Sequence, residues 1–141
     1  MEASGAAIAP SLQESLRDMV LAILSLAAVE GTERVRLTNF YKAFEGVFND
    51  HRNAFPPMRF SHTSYSVYSK RLDDALQSLI GFSISLPNPS LQYLELKTDL
   101  AIRNLAWLRD KYGPEMDRIE PLAKEFLHQL ELRNEEAAPS E

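Results

Sequence analysis

Residues 64–100 constrain this chain more than any other stretch. Leu72, Ala75, Leu76, Leu79 and Ile80 recur every three or four residues, so 68–81 reads as a helix with one inner face and Gly81 as its stop. Ser64, Ser66 and Ser69 each stand where a side-chain oxygen can cap its first turn. Phe82-Ser83-Ile84-Ser85-Leu86 then alternates with the two-residue period of a strand, and Leu94-Glu95-Leu96 alternates again. Pro87 and Pro89 between them lack an amide donor, which suits an exposed hairpin tip and not a paired central strand. Thr98 or Asp99 is set to cap the next helix.

The flanking segments extend this pattern. Ser11 and Glu14 have capping-box spacing, and Leu12, Leu16, Met19, Val20, Ile23, Leu24 and Ala27 follow with helical period. Leu21, Leu26 and Ala28 widen that stripe, so the first helix is expected to be covered on more than one side. After Gly31, Val35 centres a short strand, and Thr38 or Asn39 is expected to cap a second helix with Phe40, Phe44, Val47 and Phe48 on one face. Residues 49–63 break the helical pattern, with Met58-Arg59-Phe60 extended. Leu100, Ala101, Leu105 and Leu108 mark a fourth helix. Gly113-Pro114 ends it and opens a fifth segment striped by Ile119, Leu122, Phe126, Leu127 and Leu130, with Pro121 either splitting that segment or sitting in its first turn. The order helix, strand, helix, long connection, helix, hairpin is that of a winged helix-turn-helix. The expected fold is mainly α with a small β-hairpin, plus a C-terminal helical extension. The boundaries read as an arm over 1–10, the winged-helix domain over 11–112, the extension over 113–134 and a frayed tail over 135–141.

The chain also resembles the small bacterial group of YwgA-like proteins and the Panacea antitoxin domain over residues 15–112. The likeness rests on the apolar first helix, the strand-then-helix step, the long connection, and Tyr68-Ser69, Leu72 and Ala75-Leu76 in the third helix. Leu94-Glu95-Leu96-Lys97-Thr98-Asp99 is similar to the group's exit from the wing, although Ala101 or Ile102 stands near its usual glycine. The resemblance implies transcription control, antitoxin pairing or a subunit role in bacterial multi-protein assemblies, including defence systems and chromosome-organising ATPase complexes.

Charge decides how far DNA binding can be expected. The net charge is −5, yet residues 31–112 hold 11 Lys and Arg against eight acids, while both ends are acidic. In a winged helix that reads DNA, the third helix enters the major groove and its outward residues reach bases and phosphates. Ser69, Lys70, Arg71 and Gln77 would serve there, with Arg34, Arg36 and Arg59 as phosphate contacts. Asp73 and Asp74 oppose this, and the tip over 86–91 has no Lys or Arg to neutralise phosphate. Scattered cations on an otherwise acidic protein are the competing explanation.

The first expectation is therefore a non-enzymatic adaptor or assembly subunit, a homodimer or one that holds a larger partner. Its contact surface would use Leu86, Leu91 and Tyr93 at the wing, Trp107 on the fourth helix, and Ile119, Leu122, Phe126 and Leu130 on the fifth. The competing explanation for the last four is that they fold back onto the first helix. The alternative function is a dimeric regulator that binds duplex DNA. A distant third is RNA cleavage by His51 and His62 with Arg52 and Arg59, which requires the two imidazoles to converge. Phe40, Tyr41, Phe44, Phe48, Phe55 and Phe60 are expected in the core and not as a base-stacking platform. The chain has no cysteine, no histidine pair at metal-ligand spacing and no Gly-rich phosphate loop, so no metal and no cofactor is expected. No apolar run is long enough to span a bilayer, and the start lacks a basic signal region, so no membrane association and a cytoplasmic location are expected.

Overall fold

The computed structural model describes residues 12, 15–63, 67–80, 84 and 93–137, with side chains to residue 132. The described chain is mainly helical with small antiparallel β-pairings.

Helix α1 (Leu16–Val29) starts later than a cap at Ser11 would allow. Its N-cap is Ser15, whose Oγ accepts the Asp18 amide at 3.2 Å. Ser11 and Glu14 lie outside the described residues. Nearly every side of α1 is buried, as the widened stripe demands. Gly31 then adopts φ 111°, a left-handed value that would strain any side chain. Strand β1 (Arg34–Arg36) runs straight into helix α2 (Leu37–Asp50). This corrects the expected cap at Thr38 or Asn39: both fall inside the first turn, and no side chain caps α2.

The long connection has structure of its own. A 3-10 turn spans Arg52–Ala54, and β2 (Ser61–His62) pairs antiparallel with β3 (Val67–Tyr68), two residues in each strand. The extended pairing thus falls just after Met58-Arg59-Phe60. Ser64 and Ser66 lie outside the described residues, whereas Ser69 is the N-cap of α3 (Lys70–Gln77), accepting the Leu72 amide at 3.2 Å. Helix α3 is shorter than 68–81 because β3 claims Tyr68 and the chain turns after Gln77.

Strand β4 (Tyr93–Glu95) pairs antiparallel with β1, placing Val35 opposite Leu94, both buried. Ile80 and Ile84 form an isolated parallel bridge. The expected hairpin tip at 86–91 lies outside the described residues, as do Gly81, Phe82, Ser83, Ser85 and Gln92. Helix α4 (Thr98–Tyr112) has Lys97 as its N-cap without a side-chain bond, so Thr98 and Asp99 are first-turn residues and not the cap. Asp99 there still favours the positive end of the helix dipole. Gly113 stops α4 at φ 60°, a 3-10 segment covers Gly113–Arg118, and α5 (Ile119–Ala137) carries Pro121 in its first turn. Helix α5 continues to Ala137, into the span read as a frayed tail, and residues 138–141 lie outside the described residues.

Helix α5 lies against α1 and α2, and α4 lies against α1. Phe126 is 0% exposed and meets Phe40 and Phe44 edge-on, with ring centroids 5.9 and 6.2 Å apart. One continuous core runs from Leu12 to Leu130, so residues 113–134 belong to the same packed unit as the helices before them.

Candidate nucleic-acid interface

The surface beside α3 is assembled from three elements. Helix α2 supplies Tyr41, β3 supplies Tyr68, and the connection before the hairpin supplies Pro57, Met58 and Arg59. Asp73, one of the two carboxylates that oppose DNA, turns out to be engaged. It accepts the Tyr41 hydroxyl at 2.6 Å, the Tyr68 hydroxyl at 3.4 Å and the Gln77 amide at 3.4 Å. Burial, and then the hydrogen bond to Asp73 and its charge, push the Tyr41 phenol well above its ordinary range, so it remains a protonated donor. The Tyr68 phenol is raised by partial desolvation and then by the Asp73 charge. Asp74 is paired with Lys70 one turn away at 3.3 Å. Both members of that pair are exposed, so it is worth at most a few tenths of a kcal/mol, about 0.3–0.5.

An open groove of about 570 Å³ follows, lined by Pro57, Met58, Arg59, Ser69, Lys70, Arg71 and Asp74. Three cations face one carboxylate. Arg71 is oriented by donating from Nη1 to the Pro57 carbonyl at 2.9 Å, and Arg59 is exposed at the rim. Such a surface can bind an anionic polymer along its backbone.

The structure divides the predicted contact residues. Arg59, Lys70 and Arg71 come together in the groove. Ser69 lines it too but is corrected as a contact: it is 1% exposed and its hydroxyl is spent on the helix cap. Gln77 is exposed, with its amide directed to Asp73. Arg34 and Arg36 do not line the groove. On β1, Arg34 stands across from Glu95, and Arg36 donates to the Tyr93 hydroxyl at 2.9 Å while lying over that ring.

The expected partner surface divides as well. Ile119, Leu122, Phe126 and Leu130 are corrected from surface to interior: all four are buried against α1 and α2, and the groove they were expected to seek in a partner is made by this chain itself. Leu86 and Leu91 lie outside the described residues. Tyr93 is half-buried under Arg36. Trp107 is exposed, with the Lys111 ammonium 4.9 Å from its ring centre. Ile102 is also exposed, but five residues of helix put it about 140° from Trp107, with Asp99, Arg103 and Asp110 between them, so the two form no continuous apolar patch. His62 is bound to Glu45 at 2.6 Å and His51 closes α2, and the two imidazoles share no partner among the described residues. Phe40, Tyr41, Phe44, Phe48 and Phe55 are core residues, and Phe60 packs against Phe48 at its margin.

Sequence reasoning missed a second polar cluster. Asp18 is 0% exposed on the inner side of α1, accepting Arg17 Nε on Oδ1 and Lys111 Nζ and the Tyr112 hydroxyl on Oδ2. Burial, followed by the bond to Asp18, pushes the Tyr112 phenol above its ordinary range. The available signal was an acid inside an apolar stripe, since a buried carboxylate requires partners. Among the described residues, no group of three or more His, Asp or Glu side chains is placed to hold a metal ion. No described helix is long and apolar enough to cross a membrane. No family model, curated protein or solved structure matches the chain.

Proposed function

We propose that this chain is a winged-helix module that binds duplex DNA through the α3 groove. The observation that carries the proposal is the convergence of Arg59, Lys70 and Arg71 on one open face, with Asp73 turned onto Tyr41. The element order α1, β1, α2, α3, β4, with β1 antiparallel to β4, supports the fold assumed. In this reading α3 approaches the major groove with its N-terminal end. Arg71 and Arg59 neutralise phosphates, and Lys70 exchanges Asp74 for the nucleic acid at little cost because that pair is exposed.

The experiment is fluorescence anisotropy with a labelled duplex across a salt series. Each phosphate contact removed lowers the slope of log affinity against log salt by about 0.9. The double variant Arg59→Ala, Arg71→Ala is expected to flatten that slope by roughly 2 and to weaken binding more than tenfold at low salt. Arg34→Ala is expected to change little, because Arg34 lies off the groove. Equal binding by the double variant and the parent chain would overturn the assignment.

A second reading is an assembly subunit that binds itself or a larger partner. It is favoured by the neutral tip sequence Leu86-Pro87-Asn88-Pro89-Ser90-Leu91, which offers no cation to phosphate. Absence of DNA binding at low salt, with a dimer mass by light scattering, would select it.

A further inference from the structure

We infer that a second groove, bounded by α1, the chain just after α3, and α4, binds a small planar monocarboxylate. The groove holds about 370 Å³ and is lined by Arg17, Asp18, Leu21, Ser78, Leu79, Asn104 and Trp107. That volume is within the range of small-molecule sites, roughly 300–1,000 Å³.

The chemistry of the lining selects the ligand. Leu21 and Leu79 are buried and give an apolar floor, and the indole of Trp107 stands at the wall with 46% of the residue exposed. A flat ligand gains most from such a wall, because stacking recovers apolar area and ring electrostatics together. Among the described residues, the one acid in the lining is Asp18, and it is already spent: both oxygens accept hydrogen bonds and the side chain is 1% exposed. A cationic ligand therefore finds no free carboxylate. Arg17 and Lys111 both lean on that one carboxylate, so the cluster keeps one positive charge in excess. Half of the Arg17 side chain remains exposed while its Nε is held by Asp18, so the guanidinium is fixed in place yet accessible. Asn104 adds an amide to the same wall. One excess positive charge, a flat apolar wall and a neutral amide match a single carboxylate on a planar apolar body.

Trp107 is the only tryptophan of the chain, so its emission reports this groove alone. The full-length chain is titrated with benzoate, with benzamide (the same ring, uncharged) and with acetate (the charge without a ring). No DNA is present, so failure of the DNA-binding proposal leaves this test unaffected. Benzoate is expected to shift the emission saturably, with half-saturation at least tenfold lower than either control. Arg17→Gln is expected to raise the benzoate half-saturation at least tenfold. Asn104→Leu, which removes the amide at nearly the same side-chain shape, is expected to raise the benzoate half-saturation several-fold while far-ultraviolet circular dichroism is retained. Saturation by acetate at the same concentration would overturn the proposal in favour of a carboxylate site indifferent to the ring, such as one for an acidic side chain. Linear quenching common to all three probes, or an unchanged benzoate curve in a folded Arg17→Gln or Asn104→Leu variant, would overturn it outright.

Discussion

Asp18 shows how one residue can set the pH behaviour of the molecule. A fully buried carboxylate is tolerable only when its lone pairs are met, and here Tyr112, Lys111 and Arg17 meet them. Tyr112→Phe removes one donor and leaves the charge short, which is expected to cost about 1–3 kcal/mol at neutral pH by urea denaturation. The pH dependence follows from the raised phenol. The folded state holds the Tyr112 proton more tightly than the unfolded chain does, so its contribution is complete below about pH 10, the ordinary phenol value, and is lost as the pH rises beyond it. Tyr41 acts in the same direction. The parent chain should therefore lose stability steeply above that point, and Tyr112→Phe should lose it less steeply. Identical alkaline slopes in the two proteins would dissociate Tyr112 from the effect. At this scale the sequence was partly readable. Lys70, Arg71 and Arg59 were recognisable as outward cations, whereas the engagement of Asp73 by Tyr41 was not, because those residues stand 32 positions apart and meet only when α2 and α3 pack.

Among the elements, α2 and α5 meet closely at a glycine. A Cβ at Gly46 would fall 2.7 Å from the Cδ of Gln129 on α5. What it would meet is the far end of a flexible side chain that bonds Glu125, and not backbone. Alanine also recovers helix propensity of about 1 kcal/mol at an interior position. The two effects oppose one another at similar size, so Gly46→Ala is expected to change stability by less than about 1 kcal/mol. Gly46→Leu has no such compensation and should cost about 1–3 kcal/mol by forcing α2 from α5. Equal midpoints for Gly46→Leu and the parent chain in thermal melts would contradict the close approach. Helices α1, α2, α4 and α5 were legible in outline from their apolar period. Their starts were less so: two expected caps fell inside first turns, because β1 runs directly into α2 and Lys97 precedes α4 without a side-chain cap.

The whole molecule is organised around α5, and this is where the sequence-based domain plan differs most from the structure. Burial of Met116, Ile119, Leu122, Phe126 and Leu130 contributes on the order of 10 kcal/mol, at about 2 kcal/mol for each large apolar side chain. That is comparable with the entire stability of an ordinary domain, about 5–15 kcal/mol. A chain truncated after Tyr112 should consequently show no cooperative unfolding transition and should bind a hydrophobic dye. A sharp transition in that truncation would restore residues 11–112 as an independent domain. By itself the sequence determined which faces of the helices are apolar, where Gly113 ends α4, and that a mildly basic middle lies between acidic ends, since these depend on local period, backbone geometry and composition. What the apolar face of α5 packs against, how Asp73 and Asp18 are compensated, and which cations share a groove were decided by the tertiary structure alone. Periodicity specifies that a face must be covered but not by what, and compensation of a charge depends on distances between residues far apart in the chain.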